Sequence, residues 1–391
     1  MPLLTTTDAL DAACERLGSH DFITVDTEFL RETTYYPKLC LIQMASSDEV
    51  VLVDPLAPDL SLEPFYRLMA NPSVVKVFHA ARQDVEIIWT GGRLIPAPLF
   101  DTQIAAMVCG FGEQVSYESI AAALANARID KSSRFTDWSR RPLTEAQLAY
   151  AAADVTHLRT VYSAIITKLA KNGRRDWLVD EMAALADPSS YETQPEHAWE
   201  RLKTRVRKPR ELAALIELAA WREREAQARD VPRGRILKDD ALGEIASALP
   251  ATVEDLGRLR TIPKGFERSR TGADILAAVE RAKNRDTETL PALERPRGGS
   301  SNGALIQLLK VLLQAVAERQ RVAARLIASS DDIEAIATEE APDGPVMQGW
   351  RRELFGDLAL RLKRGEITLG ISGGRIVTLP VPDHAALQPA Q

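Results

Sequence analysis

The first β-rich run, FITVDTE (22–28), leads into an acidic end. LCLIQMAS (39–46) and EVVLVDP (49–55) follow, separated by a short polar turn at Ser47–Asp48. Three strands with links this short predict an antiparallel meander. VVKVFHA (74–80) predicts another buried strand. Beyond it the apolar spacing turns helical, through ARQDVEIIW, LFDTQIAAMVCG and SYESIAAALAN. Thr144-Glu145-Ala146-Gln147 reads as a capping box, in which Thr144 caps the Gln147 amide and Gln147 reaches back. A long helix should follow it, LAYAAADVTHLRTVYSAIITKL. Strands first and then helices predict an α/β or α+β domain over residues 1–185.

Residues 186–207 are polar and proline-containing and read as a linker. Helical patterning resumes over 208–289 (ELAALIELAAWREREAQARD, then DDALGEIASAL). A second break, over 290–302, combines Pro, Gly and Ser and reads as a flexible linker. A further helical block spans 303–380, and 381–391 form a tail. Both helical blocks run from a long helix with a basic turn to an acidic-capped helix and another helix, which predicts a diverged repeat of a small all-α domain.

Charge changes this picture more than composition does. The chain has 391 residues and a net charge of −6, with 45% hydrophobic residues, an ordinary globular composition. The balance is uneven: residues 1–195 carry 17 basic and 26 acidic side chains, and residues 196–391 carry 32 and 29. Arg201 to Lys238 alone has 12 basic against 5 acidic residues. An acidic total that would argue against a polyanionic partner thus conceals a basic segment suited to one. Cys14, Cys40 and Cys109 are unevenly spaced, which predicts reduced thiols rather than a disulfide framework. No apolar run is long enough to span a membrane and no secretory signal is visible, so the expectation is a cytoplasmic protein without membrane contact.

The candidate chemistry lies in carboxylates. Asp26 and Glu28 are two apart at a strand end, so they share a face and can hold one hard cation. Read alone, the pair is more often a solvated strand end, because D-x-E is common. Asp84 follows the strand at 74–80, where the helix dipole also favours an acid for structural reasons. His79 and Gln83 flank it, His79 fitting a core position or a substrate contact. Tyr150 and Asp154 are one turn apart on a helix otherwise smooth with alanine.

Taken together, VDTEF (25–29), FHAARQDVE (78–86) and YAAADV (150–155) resemble the motifs of the DEDD superfamily of 3′–5′ exonucleases, in the branch with a tyrosine in the third motif. TDWSRRPLTEAQLAYAAADV (136–155) is similar to the ribonuclease D family in particular. ELAALIELAAWREREAQARDVPRGRILKDDALGEIA resembles the HRDC domain, a small helical nucleic-acid-binding module, and the block ending GWRRELFGDLALRLKRGEITL resembles a divergent second copy. The resemblance implies a ribonuclease H-like α/β exonuclease domain followed by two small all-α HRDC-like domains.

It also implies two divalent ions, Mg2+ or Mn2+. Asp26 would bridge both, Glu28 and Asp154 would complete the site that activates water, Asp84 would hold the second ion, and Tyr150 would aim the water. Thr27, Phe29, Leu30, His79 and Gln83 are candidate substrate contacts, although Phe29 and Leu30 suit the core equally well. Arg134, Arg140 and Arg141, with Arg128 and Lys131, precede the catalytic helix and can line a basic groove. Lys203, Arg205, Arg207, Lys208, Arg210, Arg222, Arg224, Arg229, Arg233 and Arg235 can contact RNA backbone, or the first five can be a linker that keeps the chain soluble. Trp221 is expected in the core. The implied activity is metal-dependent trimming of structured RNA 3′ ends, foremost tRNA precursors, releasing nucleoside 5′-monophosphates, by a monomer with no obligate protein partner. A DNA exonuclease with the same chemistry and an inactive RNA-binding scaffold are the alternatives. The four acids and Tyr150 argue against the second.

Overall fold

Period-two alternation in the N-terminal runs builds a sheet with two covered faces. The coordinates are a computed structural model, described over residues 3–130, 136–204, 206–292 and 302–381. Strands β1 (Leu3–Leu4), β2 (Phe22–Leu30), β3 (Lys38–Ala45), β4 (Val50–Val53), β5 (Val75–Phe78) and β6 (Leu99–Asp101) form one mixed sheet in the order β1-β4-β3-β2-β5-β6. β2, β3 and β4 are the expected antiparallel meander. β5 joins β2 in parallel, β6 joins β5 and β1 joins β4. The helical spacing expected from Leu99 begins only at Thr102, because Leu99–Asp101 complete the sheet edge.

Ile23 and Val25 of β2, Ile42 and Met44 of β3 and Val51 and Val53 of β4 pack against α1 (Thr7–Leu17), α2 (Glu63–Ala70) and α3 (Arg82–Gly92). The opposite face is covered by α4 (Thr102–Val108), α5 (Tyr117–Ala125) and the 28-residue α6 (Glu145–Asn172). The Thr144–Gln147 capping box starts α6 as expected, and Gly173 closes it in the left-handed conformation, φ 67°. A short α7 (Val179–Leu185) ends this layer.

A separate apolar cluster organises α8 (Pro209–Arg229), α9 (Arg233–Ile236), α10 (Asp239–Ala248), α11 (Val253–Gly257) and α12 (Arg270–Asn284). Trp221 is buried there, as its helical spacing predicts. Trp199, Leu202 and Val206 of the preceding polar stretch pack on the same cluster, so that stretch is bound to the helical block rather than loose. The last block contains α13 (Gly303–Gln320), α14 (Ala324–Ile327), α15 (Ser330–Thr338), α16 (Gly349–Arg351) and α17 (Asp357–Lys363). It then adds an antiparallel hairpin, β7 (Ile367–Ser372) and β8 (Arg375–Pro380). The all-α expectation is corrected at this point: ITLGIS and RIVTLP are β-rich and joined by Gly373-Gly374, both at positive φ, which is a hairpin signal.

The last block shares a core with the exonuclease layer. Leu309, Leu312, Val316, Ile336 and Phe355 lie in one cluster with Met107, Leu158 and Ile165. Trp177 and Trp350 stack with ring centroids 4.3 Å apart, and Arg351 pairs with Asp180 at 2.7 Å and Glu181 at 2.9 Å. The 209–284 block holds the exonuclease layer through the β2–β3 loop. Asp230 at the end of α8 accepts the backbone N–H groups of Tyr35 and Tyr36, each at 3.0 Å. The Tyr35 hydroxyl donates to buried Glu223, which Arg233 clamps at 2.5 and 2.6 Å.

Candidate active site

β2 ends its apolar stretch at Val25, and the next residues carry chemistry. Thr24, Asp26 and Glu28 alternate onto the face covered by α6, and the Thr24 hydroxyl donates to the Val155 carbonyl at 2.8 Å. This bond pins α6 to β2 one residue from Asp154. Ala151 of α6 packs against Cys40 and Leu41, so the alanine-rich turn lets the helix lie close to the sheet. Asp26, Glu28 and Asp154 consequently converge, with one carboxylate oxygen of each lying within 4.8 Å of the others. The β2–β3 pairing shifts register between Glu28 and Phe29, a bulge at the edge of the site.

Asp84 enters from α3 on the other side of β2. The Thr27 hydroxyl donates to it at 2.5 Å, joining the second acidic position to the strand that carries the first. Two features place α3, one at each end. The Asp101 carboxylate accepts the N–H groups of Ala80 at 3.2 Å and Ala81 at 2.8 Å, holding Ala80 at φ 61°. At its C-terminal end, Gly91 and Gly92 let Tyr66 of α2 lie against α3, where a Cβ at Gly91 would collide with the Tyr66 hydroxyl and one at Gly92 with its ring. The sequence reading missed Asp101, whose signal was its place immediately before a helix.

The electrostatics are those of acids forced together. Burial first, then Asp154, raises the Asp26 carboxyl well above its ordinary range, against a backbone N–H from Thr27. Burial and then Asp26 do the same to Asp84, against the Thr27 hydroxyl. Tyr150 is raised by burial, then by Asp154, Glu28 and Asp26, and it hydrogen-bonds Asp154. Tyr117, which the sequence reading did not single out, is raised by burial, Asp154 and Asp26, and its hydroxyl donates to the Ala153 carbonyl at 3.0 Å.

The remaining candidates separate. His79 is engaged at both ring nitrogens, by Thr102 at 2.9 Å and the Val115 carbonyl at 3.1 Å, and burial lowers its pKa against the pull of Asp101. Gln83 is exposed on the first turn of α3. Leu30 packs with Cys40, Leu41 and Trp138, whereas half-buried Phe29 lies outside the apolar clusters of the described residues. Arg140 is 84% exposed beside Asp137. Arg141 is spent: Asp54 takes Nε at 2.7 Å and Nη2 at 2.6 Å, while the Cys40, Trp138 and Arg140 carbonyls take the other three donors. No guanidinium N–H is left for a phosphate, so the expected groove role of Arg141 is corrected to a clamp beneath the α6 entry. Lys131, Arg134 and Arg205 lie outside the described residues.

The basic segment divides in the same way. Arg210 donates to three carbonyls at the end of α12, Arg222 to Leu237 and Asp239, and Arg233 to Glu223. Lys203, Arg207, Arg235 and Lys238 are exposed.

A mixed sheet whose strand β2 carries Asp26 and Glu28, met by Asp154 and Tyr150 of the long helix α6 and by Asp84 of α3, has the architecture of the 3′–5′ exonuclease class. A family model described as 3′-5′ exonuclease matches residues 2–170, and one described as HRDC domain matches residues 211–279. The chain is 56% identical to the ribonuclease D of Nitrobacter hamburgensis, over 96% of this chain and 99% of that protein. It is 51% identical to that of Gluconacetobacter diazotrophicus, over 97% and 96%. The crystal structure of Escherichia coli RNase D, an exoribonuclease involved in structured RNA processing, superposes with a TM-score of 0.81 at 30% identity, covering 93% of this chain and 98% of that one. The chain belongs to the ribonuclease D family, and it is a hydrolytic 3′–5′ exoribonuclease that binds RNA. No helix among the described residues is long and apolar enough to cross a membrane.

Proposed function

We propose that the protein trims 3′ extensions from structured RNA, foremost tRNA precursors, using two divalent cations held by Asp26, Glu28, Asp84 and Asp154. The observation that carries this reading is the convergence of the Asp26, Glu28 and Asp154 oxygens within 4.8 Å, with Asp84 joined to the same strand through Thr27. Oxygen donors suit Mg2+ or Mn2+, and carboxyls whose charged forms are disfavoured together suit a site that gains a cation. Bound cations supply activated water and neutralise charge on the phosphate and the leaving 3′ oxygen. Tyr150, raised further from an already high value, keeps its proton and works by hydrogen bonding, which orients the attacking water. Thr27 keeps Asp84 facing Asp26, and the Thr24–Val155 bond keeps Asp154 at β2.

Half-buried Phe29, next in sequence to Glu28, is the candidate to stack on a terminal base, and exposed Arg140, Arg207, Arg235 and Lys238 are the candidate phosphate contacts. We read residues 1–185 as the exonuclease domain, 208–289 as the first HRDC domain and 303–380 as a second, divergent one. The matching order of long helix, one-turn helix and acidic helix in α8–α10 and α13–α15 supports the last assignment. A cytoplasmic monomer fits this reading. The test is product analysis with a 3′-extended tRNA precursor and a matched DNA oligonucleotide, with and without EDTA. Metal-dependent release of nucleoside 5′-monophosphates from the RNA is expected. Preferential digestion of the DNA would favour the repair-type alternative.

A further inference from the structure

Gln43 of β3 is completely buried, yet neither its Oε1 nor its Nε2 has a hydrogen-bond partner among the described residues. Its direction follows from strand alternation. Ile42 and Met44 face the α1–α3 layer, and Leu41 packs with Ala151 under α6, so Gln43 faces α6 as well. It is paired in register directly opposite Asp26, and across an antiparallel pair such residues have Cβ atoms about 4.5–5.5 Å apart. Thr24, another polar side chain buried on this face, spends its hydroxyl on Val155. The Gln43 side chain therefore shares the α6-facing side of the sheet with the first acid of the cluster.

A buried amide without a partner costs stability, and an apolar side chain of similar volume at the same place would remove that cost. Two of the other acids have side-chain donors: Thr27 serves Asp84 and Tyr150 serves Asp154. Directly across the strand pair from Asp26, the side-chain donor is Gln43. Metal-ligating carboxylates are held in orientation by an outer hydrogen bond. We propose that Gln43 is a positioning residue whose Nε2–H donates to the Asp26 carboxylate when the acids hold cations, fixing the orientation in which Asp26 ligates. This rests on the cation reading of the site above.

The test compares the wild-type chain with Gln43→Met and Gln43→Leu by three readouts: thermal unfolding without metal, Mn2+ binding by calorimetry, and turnover on RNA. The expected result is a metal-free midpoint at or above the wild-type value, with Mn2+ affinity and kcat each lowered about 10–100-fold and KM for RNA unchanged. Wild-type Mn2+ affinity in both variants would overturn the role of Gln43 while leaving the cation site standing. A metal-free midpoint several degrees below wild type in both would also overturn it, because the amide would then be an ordinary structural group. Absence of Mn2+ binding to the wild-type chain would refute the cation reading itself, and the proposal with it.

Discussion

Glu223 is the hinge of the contact between the exonuclease layer and the 209–284 block, and replacing it with glutamine tests that contact. Its side chain is 1% exposed, receives two hydrogen bonds from Arg233 and one from Tyr35, and Arg233 also lies over the Tyr35 ring at 4.9 Å. Breaking a fully buried pair by removing one charge costs about 3–5 kcal/mol. Arg233 is 38% exposed and keeps part of its hydration, so screening reduces the expected loss to about 1–3 kcal/mol. Burial pushes the Glu223 carboxyl up, but the hydrogen bonds from Arg233 and Tyr35 outweigh it and leave the pKa below its ordinary value. A carboxyl depressed in the folded state stabilises above its ordinary value of 4.5, and that stabilisation is lost as pH falls through the folded value. The difference between wild type and Glu223→Gln should therefore be full at pH 7 and shrink below about pH 4.5. The assay is urea unfolding at the two pH values, with hydrogen exchange at the Tyr35 and Tyr36 amides that Asp230 accepts. Faster exchange at those two amides and a several-fold higher KM for RNA are expected, because this loop continues from the strand carrying Asp26 and Glu28. Unchanged stability and exchange in the variant would refute the coupling.

Tyr150→Phe should lower kcat by more than it lowers Mn2+ affinity, because the role proposed for the hydroxyl is to orient water, while its bond to Asp154 only steadies a ligand; a full exonuclease rate in the variant would remove that role. Thr27→Val removes the hydroxyl that holds Asp84, a charge-assisted bond of about 1.5–3 kcal/mol, and should lower turnover about 10–100-fold, measured by single-turnover kinetics. Arg235→Ala combined with Lys238→Ala should weaken RNA binding evenly across sequences and reduce the slope of log K against log salt by about two, one per lost contact.

The parts legible in the sequence were those governed by local rules. The capping box at Thr144 announced α6, the short turn at Ser47–Asp48 announced the meander, and i, i+2 and i, i+4 spacing paired Asp26 with Glu28 and Tyr150 with Asp154. What spacing alone left open was which acids meet, and the motif order supplied that. Most of the misses are long-range. Arg141 reads as a free cation until Asp54, 87 residues earlier, takes two of its donors. Arg210 and Arg222 count as positive charge in the sequence yet are consumed inside their own helical block, and Arg233 is spent on Glu223 and Tyr35. Gln43 sits unremarked within a buried strand, and only the register with Asp26 shows that its side chain shares the face of the acids. The terminal hairpin was hidden because the helical block before it set the expectation, although Gly373-Gly374 marked the turn.

The central claim, that clustered carboxylates hydrolyse RNA from its 3′ end through bound cations, is tested most directly by one titration. A 5′-labelled RNA with a 3′ extension is incubated with metal-free protein while Mg2+ is raised, and the products are resolved by length and chemical form. The account predicts no cleavage without cation, then a ladder shortening one nucleotide at a time from the 3′ end with release of nucleoside 5′-monophosphates, and no activity at any concentration for Asp154→Asn. Cleavage that persists in EDTA, or products ending in 2′,3′-cyclic phosphate, would contradict it.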